Sequence, residues 1–483
     1  MISNINKSLL IIFLCCLYLS ASNILVAEDL NQLQIKPEIN TQQQETQTTS
    51  LEEVTLIDYF IPKNYTLTLE DSLNMSLENN SAFNVTKKDT QIYKIRAKKT
   101  ALTFLPVLNT SLSFIYQKDY SKVGDGDIIE IPYIGPVDFG GFDAEDNWKR
   151  YYSLTAIQPI TGLLRRYHWK KIADLSFEQA LLDEELTGQN TAMTVYTSYF
   201  EALAAKYQIE ALKQNVEELT KSYNIASIRY EEGTTIKRDK QKVEVELDKV
   251  KFQLFAKENE YQENINKLKN AIAIKQEDNL QLVTQYQPLE YKISVDEATK
   301  IALDNNQELQ KSVLRLKMAK HSKNELYNNY IPDINLSLNY VNQAGSDYMP
   351  PNNFTLSFDM NYNVFDWGQR ELTIKEHQLE IDKLDLTNKD LVEVLKMDMK
   401  QKYNRFKEAE MLIELSKKAV GLAEHNLEIS LLRYRDGYEL ITEVLSDQSD
   451  LAKARSDYYQ ALFYEQITIA DLKKSMGILL PSQ

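Results

Sequence analysis

The sequence predicts a mainly α protein with a small β part, internally duplicated. Long coiled-coil helices alternate with four short strands per chain, which join a transmembrane β-barrel shared by an oligomer. Three observations carry this reading: a repeat within the chain, two long tracts without proline, and short stretches in which apolar and polar residues alternate.

At 483 residues the chain exceeds one ordinary domain, and it copies itself. YTLTLEDSLNMSLENN begins at Tyr65 and YKISVDEATKIALDNN at Tyr291, while LPVLNTSLSF (105–114) matches IPDINLSLNY (331–340); both pairs are offset by 226 positions. RYEEG (229–233) and RYRDG (433–437) are offset by 204, which places a net 22 extra residues in the first copy, mainly in the loop 117–150. The predicted organisation is a leader over 1–27, an extended Gln- and Thr-rich lead-in over 28–64, a first repeat over 65–290, a second over 291–478 and a tail over 479–483.

The leader reads as a secretory signal peptide. Lys7 precedes the apolar run Leu9 to Leu19, which is too short to span a bilayer, and Ser22 and Ala27 both offer a cleavage point. Cys15 and Cys16 lie inside that run, and the residues before them, Leu14 and Cys15, are not the small ones that lipidation requires. The exported chain is therefore expected to carry no disulfide and no thiolate site. No later apolar run reaches 18 residues, so no helix of the mature chain is expected to span a membrane.

The helices come next. Proline is absent from Ile160 to Gln287 and from Asn352 to Leu480. Because proline inside a helix costs about 3 kcal/mol, these tracts can hold unbroken helices. The segments 163–232 and 369–436 would each be roughly 100 Å long at about 1.5 Å per residue. Leu384, Leu391, Leu395, Met399, Tyr403 and Phe406 step by sevens, fours and threes, as a coiled-coil face requires. Gly233 and Gly437 stand where a helix C-terminus turns left-handed, so each Arg-Tyr-x-x-Gly is predicted to be a hairpin tip.

The strands differ in period. In FTLSFDMNYNVF (354–365), Phe354, Leu356, Phe358, Met360, Tyr362 and Val364 share one face, against Thr355, Ser357, Asp359, Asn361 and Asn363. Ile334, Leu336, Leu338 and Tyr340 oppose Asn335, Ser337 and Asn339; Leu108, Thr110, Leu112 and Phe114 oppose Asn109, Ser111 and Ser113. The stretch 151–160 alternates less cleanly. A soluble sheet with one face on a core would show the same pattern, but a helix bundle in water offers nothing to cover it. Strands of about ten residues, apolar outside and polar inside, behind a signal peptide, favour a barrel in lipid. Leu112, Leu336, Leu338, Leu356, Phe358 and Met360 are then lipid-facing. Four strands cannot close, since the smallest such barrels have about eight, so several copies must share one barrel.

The duplicated L-x-L-x-E/D-A/S-L helix start resembles TolC-like outer-membrane efflux proteins, as does the Pro-x-hydrophobic-Asn before a strand. So do the strand ends Gln158-Pro159-Ile160-Thr161-Gly162 and Val364-Phe365-Asp366-Trp367-Gly368, each followed by a very long helix, and the paired tips. The resemblance covers roughly residues 65–478, with Thr161 standing where many members carry an aromatic. It implies a homotrimer whose twelve-strand barrel sits in the outer membrane and whose helical barrel crosses the periplasm. The implied role is the exit duct of a tripartite efflux pump or type I secretion system, with a periplasmic adaptor and an inner-membrane efflux or ABC transporter as partners. A structural or adaptor-like periplasmic coiled-coil hairpin protein is the alternative; it explains the helices and leaves the strands unexplained.

No enzyme is expected. His168, His321, His377 and His425 are scattered in the sequence, without a His-x-x-x-His pair, and no nucleophile motif or phosphate loop is present. Gly124-Asp-Gly126-Asp lacks the spacing and terminal Glu of a calcium loop. Neither cofactor nor metal is implied. With 55 Lys plus Arg against 70 Asp plus Glu, net charge −15 argues against nucleic acid and suits a surface that gathers cations.

The tips carry the candidate sites. Asp239 and Glu443 fall six residues beyond the tip glycines, and the resemblance places acids at that position near a constricted periplasmic mouth, with Asp447 a turn further on. Solvated coiled-coil flanks explain the same charges without function. Arg229, Tyr230, Gly233 and Thr234, with Arg433, Tyr434, Gly437 and Tyr438, form the expected adaptor-docking tips. There the arginines are expected to pair with acids and the tyrosines to pack across helices.

Overall fold

The computed structural model describes residues 62–116, 122–123, 128–138, 142–143, 145–283, 291–346 and 350–480; the leader and nearly all of the lead-in lie outside them. Its elements, in order, are β1 (Asn64–Leu67), α1 (Leu69–Asn79), α2 (Ser81–Leu102), β2 (Val107–Tyr116), β3 (Lys122–Val123), β4 (Ile128–Ile131), β5 (Gly135–Asp138), β6 (Phe142–Asp143) and β7 (Glu145–Pro159). There follow α3 (Gly162–Glu231), α4 (Lys237–Ala271), β8 (Asn279–Leu282), α5 (Val295–Asn305), α6 (Gln307–Leu326), β9 (Asp333–Ser346), β10 (Asn352–Asn361), α7 (Gln369–Arg435) and α8 (Ile441–Ser475). No helix among the described residues is long and apolar enough to cross a membrane.

The chain divides into two compact units, one of Tyr93–Phe177 with Leu316–Lys383, the other holding the described residues of 62–92, 178–315 and 384–480. The second unit is helical and contains the buried cores. In one, Phe200 and Phe463 stack at 6.2 Å between ring centroids, with Leu203, Leu268 and Ile272 fully buried around them. Each such side chain contributes about 1.5–3 kcal/mol by leaving water. Ala202 is wholly buried in the same core, and Ala192 lies in a separate small cluster with Ala470 and Leu479. A second core holds Leu395, Met399 and Phe406 of the predicted coiled-coil face, packed with Leu472 and Met476.

The duplication extends to individual hydrogen bonds. Thr68 caps α1 by accepting from the Asp71 amide (3.1 Å), as Ser294 caps α5 by accepting from Glu297 (3.2 Å). Asn80 separates α1 from α2, donating from Nδ2 to the Ala271 carbonyl at 3.4 Å; Asn306 separates α5 from α6 and donates to the Ser475 carbonyl at 3.2 Å. Each asparagine thus caps its own helix pair and satisfies an orphan carbonyl at the end of α4 or α8.

The first unit holds the antiparallel sheet, ordered β10-β9-β7-β2. Three boundaries differ from the sequence reading. The last strand stops at Asn361, because its partner β9 begins at Asp333, directly opposite, and residues 362–365 have no strand to pair with. The strand expected over 151–160 is longer: it starts at Glu145, since β9 runs on to Ser346, and a register irregularity between Glu145 and Arg150 absorbs the mismatch. Gly345 faces that irregularity with φ +92°, and a Cβ there would strike the Trp148 carbonyl. The segment 117–150 is accordingly not a plain loop; β4–β5 and β3–β6 pair within it. The sequence reading also missed β1, which pairs in parallel with β8 and places a strand where the lead-in was expected to meet a helix.

Candidate functional site

Two features stand out: the faces of the sheet and the ends of the helical hairpins. Register aligns the apolar residues row by row. Leu356 lies opposite Leu338, Phe358 opposite Leu336 and Met360 opposite Ile334; Leu338 in turn faces Ala156, and Leu112 faces Tyr152. These side chains stay in the open: Leu112 is 58% exposed, Leu356 45%, Phe358 65% and Met360 65%. Leu336 and Leu338, on the inner strand β9, are half-buried, and among the described residues no buried core cluster includes this face. The opposite face is a lattice of hydroxyls and amides, in which Thr155 donates to Asn339 Oδ1 at 2.9 Å and Ser111 and Ser153 lie 2.8 Å apart. Aromatic pairs mark both ends, Tyr116 with Trp148 at 5.0 Å and Phe365 with Trp367 at 4.9 Å between centroids. A lipid-facing band flanked by such girdles has this layout.

At the junction of β10 with α7, the strand end already marked in the sequence, Asp366 accepts from the Gly368 and Arg370 amides and from Arg370 Nε at 2.7 Å; sequence reasoning did not single out Arg370. Arg370 also lies over the Tyr330 and Tyr362 rings, at 5.4 and 5.5 Å. The strand-to-helix turn is thereby held by one ion pair and two rings.

The tips follow from backbone chemistry. Gly233 (φ +70°) and Gly437 (φ +82°) are left-handed. The Gly233 amide donates to the Tyr230 carbonyl and the Thr234 amide to that of Arg229; Gly437 and Tyr438 do the same to Tyr434 and Arg433. This double bond pattern closes a helix whose last three residues begin with Arg-Tyr. Arg and Tyr therefore occupy fixed places one turn before the glycine.

The side chains of the two tips diverge. Tyr434 is 9% exposed and joins a core with Leu219, Val243, Leu427 and Val444, whereas Tyr230 stays partly exposed with the Lys240 ammonium 5.9 Å from its ring. Arg229 crosses between hairpins: its guanidinium lies 4.8 Å over the Tyr434 ring and donates to the Tyr434 carbonyl at 3.3 Å. The expected acid partner of Arg229 is replaced by an aromatic one, while Arg433 and Tyr438 are exposed. Thr234 closes the first turn by donating to the Arg229 carbonyl at 3.0 Å.

Asp239 and Glu443 both sit in the first turn of the outgoing helix, where the helix dipole favours a negative charge. Asp239 accepts from Thr235 Oγ1 at 3.1 Å; Glu443 is exposed, and its carboxylate has no hydrogen bond or ion pair among the described residues. Asp447 differs, since Ser430 donates to it from the other arm of the same hairpin. The structure thus leaves Glu443 free, holds Asp239 loosely and ties Asp447 down.

Two of the four histidines, remote in sequence, meet. His168 on α3 and His321 on α6 place their Nδ1 atoms 3.3 Å apart. Burial lowers the pKa of both rings, and the charges of His168 and Lys171 lower that of His321 further. Spacing within the sequence could not reveal a pair made by two antiparallel helix segments. Among the described residues no group of three or more His, Cys, Asp and Glu side chains is placed to hold a metal.

The sequence pattern of the outer membrane efflux protein family matches residues 73–273 and 298–478. No curated protein sequence matches the chain. Among solved structures, a membrane protein from Pseudomonas aeruginosa superimposes with a TM-score of 0.72 at 12% identity, over 84% of this chain and 90% of the other. The outer membrane protein VceC of Vibrio cholerae gives 0.69 at 12%, over 85% and 96%. The CmeC outer membrane channel of Campylobacter jejuni gives 0.68 at 13%, over 85% of each. At these identities the likeness is one of fold.

Proposed function

The chain belongs to the outer membrane efflux protein family and is an outer-membrane efflux channel rather than an enzyme; from that premise we propose that three copies form the exit duct of a tripartite efflux pump or type I secretion machine. The observation that carries the proposal is the four-stranded sheet with one apolar face, one polar face and two unpaired edges, β2 and β10. In hydrocarbon each unpaired backbone group costs several kcal/mol, so those edges must pair with other copies. Two copies would give about eight strands, whose interior side chains fill the barrel; three copies are the smallest closed set that leaves an aqueous lumen.

The polar face, with Asn109, Thr155, Asn339 and Thr355 in one row, then lines the conduit. The tips serve as the docking surface for a periplasmic adaptor that links the duct to an inner-membrane transporter, and Glu443 with Asp239 supplies negative charge at the periplasmic mouth. Energy comes from the transporter. Mass measurement of the detergent-purified protein checks the assembly: a trimer is expected, and a monomer or dimer refutes it. An adaptor-like coiled-coil protein, the competing reading, predicts recovery in the soluble periplasmic fraction.

A further inference from the structure

We propose that His168 and His321 form a two-imidazole site for a divalent transition-metal ion of the zinc class, with water completing its coordination. The Nδ1 atoms are 3.3 Å apart, and two nitrogens at about 2.0–2.1 Å from a tetrahedral ion are separated by about 3.3–3.4 Å. The same spacing also admits an N–H···N hydrogen bond between neutral rings, which is the metal-free state of the pair.

The two helix segments cannot easily slide apart. On one side Arg165 Nε lies 3.0 Å from Glu325 Oε1; on the other Ser176 Oγ lies 3.4 Å from Met318 Sδ. Both contacts join α3 to α6, so the imidazoles are held facing each other. The rings meet with centroids 5.6 Å apart and an interplanar angle of 48°. Capture of an ion asks each ring to tilt about its terminal torsion, which is soft. Both residues are partly exposed, so an ion and its waters can enter. Lys171 opposes binding; its ammonium acts on His321 and rests 5.9 Å from the Tyr167 ring. The site therefore suits an exchangeable ion more than a permanent one. Imidazole nitrogen suits zinc, nickel and copper and discriminates against magnesium and calcium, which take oxygen.

The test is zinc binding by the full-length detergent-purified protein, read as metal bound per chain in equilibrium dialysis across a range of free zinc, with magnesium as control. Wild type is expected to retain about one zinc per chain and no magnesium. His168→Gln and His321→Gln, which keep a polar group of similar size, should each weaken uptake roughly tenfold or more, with oligomer size and metal-free melting unchanged. Lys171→Met keeps both imidazoles and should strengthen uptake by removing the opposing charge. Failure of the wild type to take up zinc, or equal uptake by wild type and both glutamine variants, overturns the site and leaves the pair as an N–H···N contact. Unchanged uptake in Lys171→Met also counts against it, because the ammonium would then not face the ion.

Discussion

Among the described residues four helix ends close with a left-handed residue, glycine at 233, 437 and 477 and alanine at 273, and their surroundings rank what substitution there should do. Gly437 has φ +82° and nothing within 4 Å of an added Cβ, so Gly437→Ala meets only the conformational penalty. That penalty is about 1–2 kcal/mol, offset by about 0.4–1 kcal/mol because alanine restricts the unfolded chain, for a net loss near ~1 kcal/mol. Gly477 has φ +74°, but a Cβ there would lie 2.5 Å from the Asn305 carbonyl oxygen, so backbone must move. Its own carbonyl accepts from Gln189 Nε2 at 3.0 Å and Gln307 Nε2 at 3.4 Å, and a shift weakens both bonds. At about 1 kcal/mol per hydrogen bond, Gly477→Ala should lose about 3 kcal/mol in all. The first repeat already carries the reverse case: Ala273, the counterpart of Gly477, sits at φ +57° and is exposed. Ala273→Gly should be neutral or stabilising by up to ~1 kcal/mol. Chemical denaturation of the detergent-solubilised protein, followed by its helical circular dichroism, gives the order directly. Equal midpoints for Gly437→Ala and Gly477→Ala, or a clear loss in Ala273→Gly, would refute the reasoning.

The remaining predictions concern function. Leu356→Asp should cut the yield of outer-membrane trimer sharply, since an acid on the lipid face is costly, while Ser357→Asp on the lumen face should be tolerated; equal yields would show that the faces are assigned the wrong way. Gly437→Val should distort the tip and abolish efflux while the trimer still assembles, and full efflux by such a trimer would remove the tip from docking. Glu443→Gln combined with Asp239→Asn should weaken cation selectivity and block by multivalent cations in planar-bilayer recordings, because a ring of carboxylates raises the local cation concentration. An unchanged reversal potential in that double variant would place both acids away from the mouth.

The residues that were legible in the sequence are those whose structure is local. Freedom from proline, the left-handed glycines and the 3.6-residue period set α3 and α7 to within a residue of their expected limits. Period-two alternation set the faces of β2, β9 and β10, because side chains of neighbouring strands in register must share a face. The duplication was equally plain. Partners distant in the chain were decided only by the tertiary structure. Tyr230 and Tyr434 occupy the same place in the same motif, yet Tyr434 enters a core and receives Arg229 from the other hairpin, while Tyr230 remains outside. The end of β10 was set by where β9 begins, and the pairing of β1 with β8 by a contact across more than two hundred residues. His168 and His321 became neighbours because α3 and α6 run antiparallel past each other. Local periodicity records the face a residue shows; which side chain meets that face depends on packing between segments, and a single sequence carries no period for that.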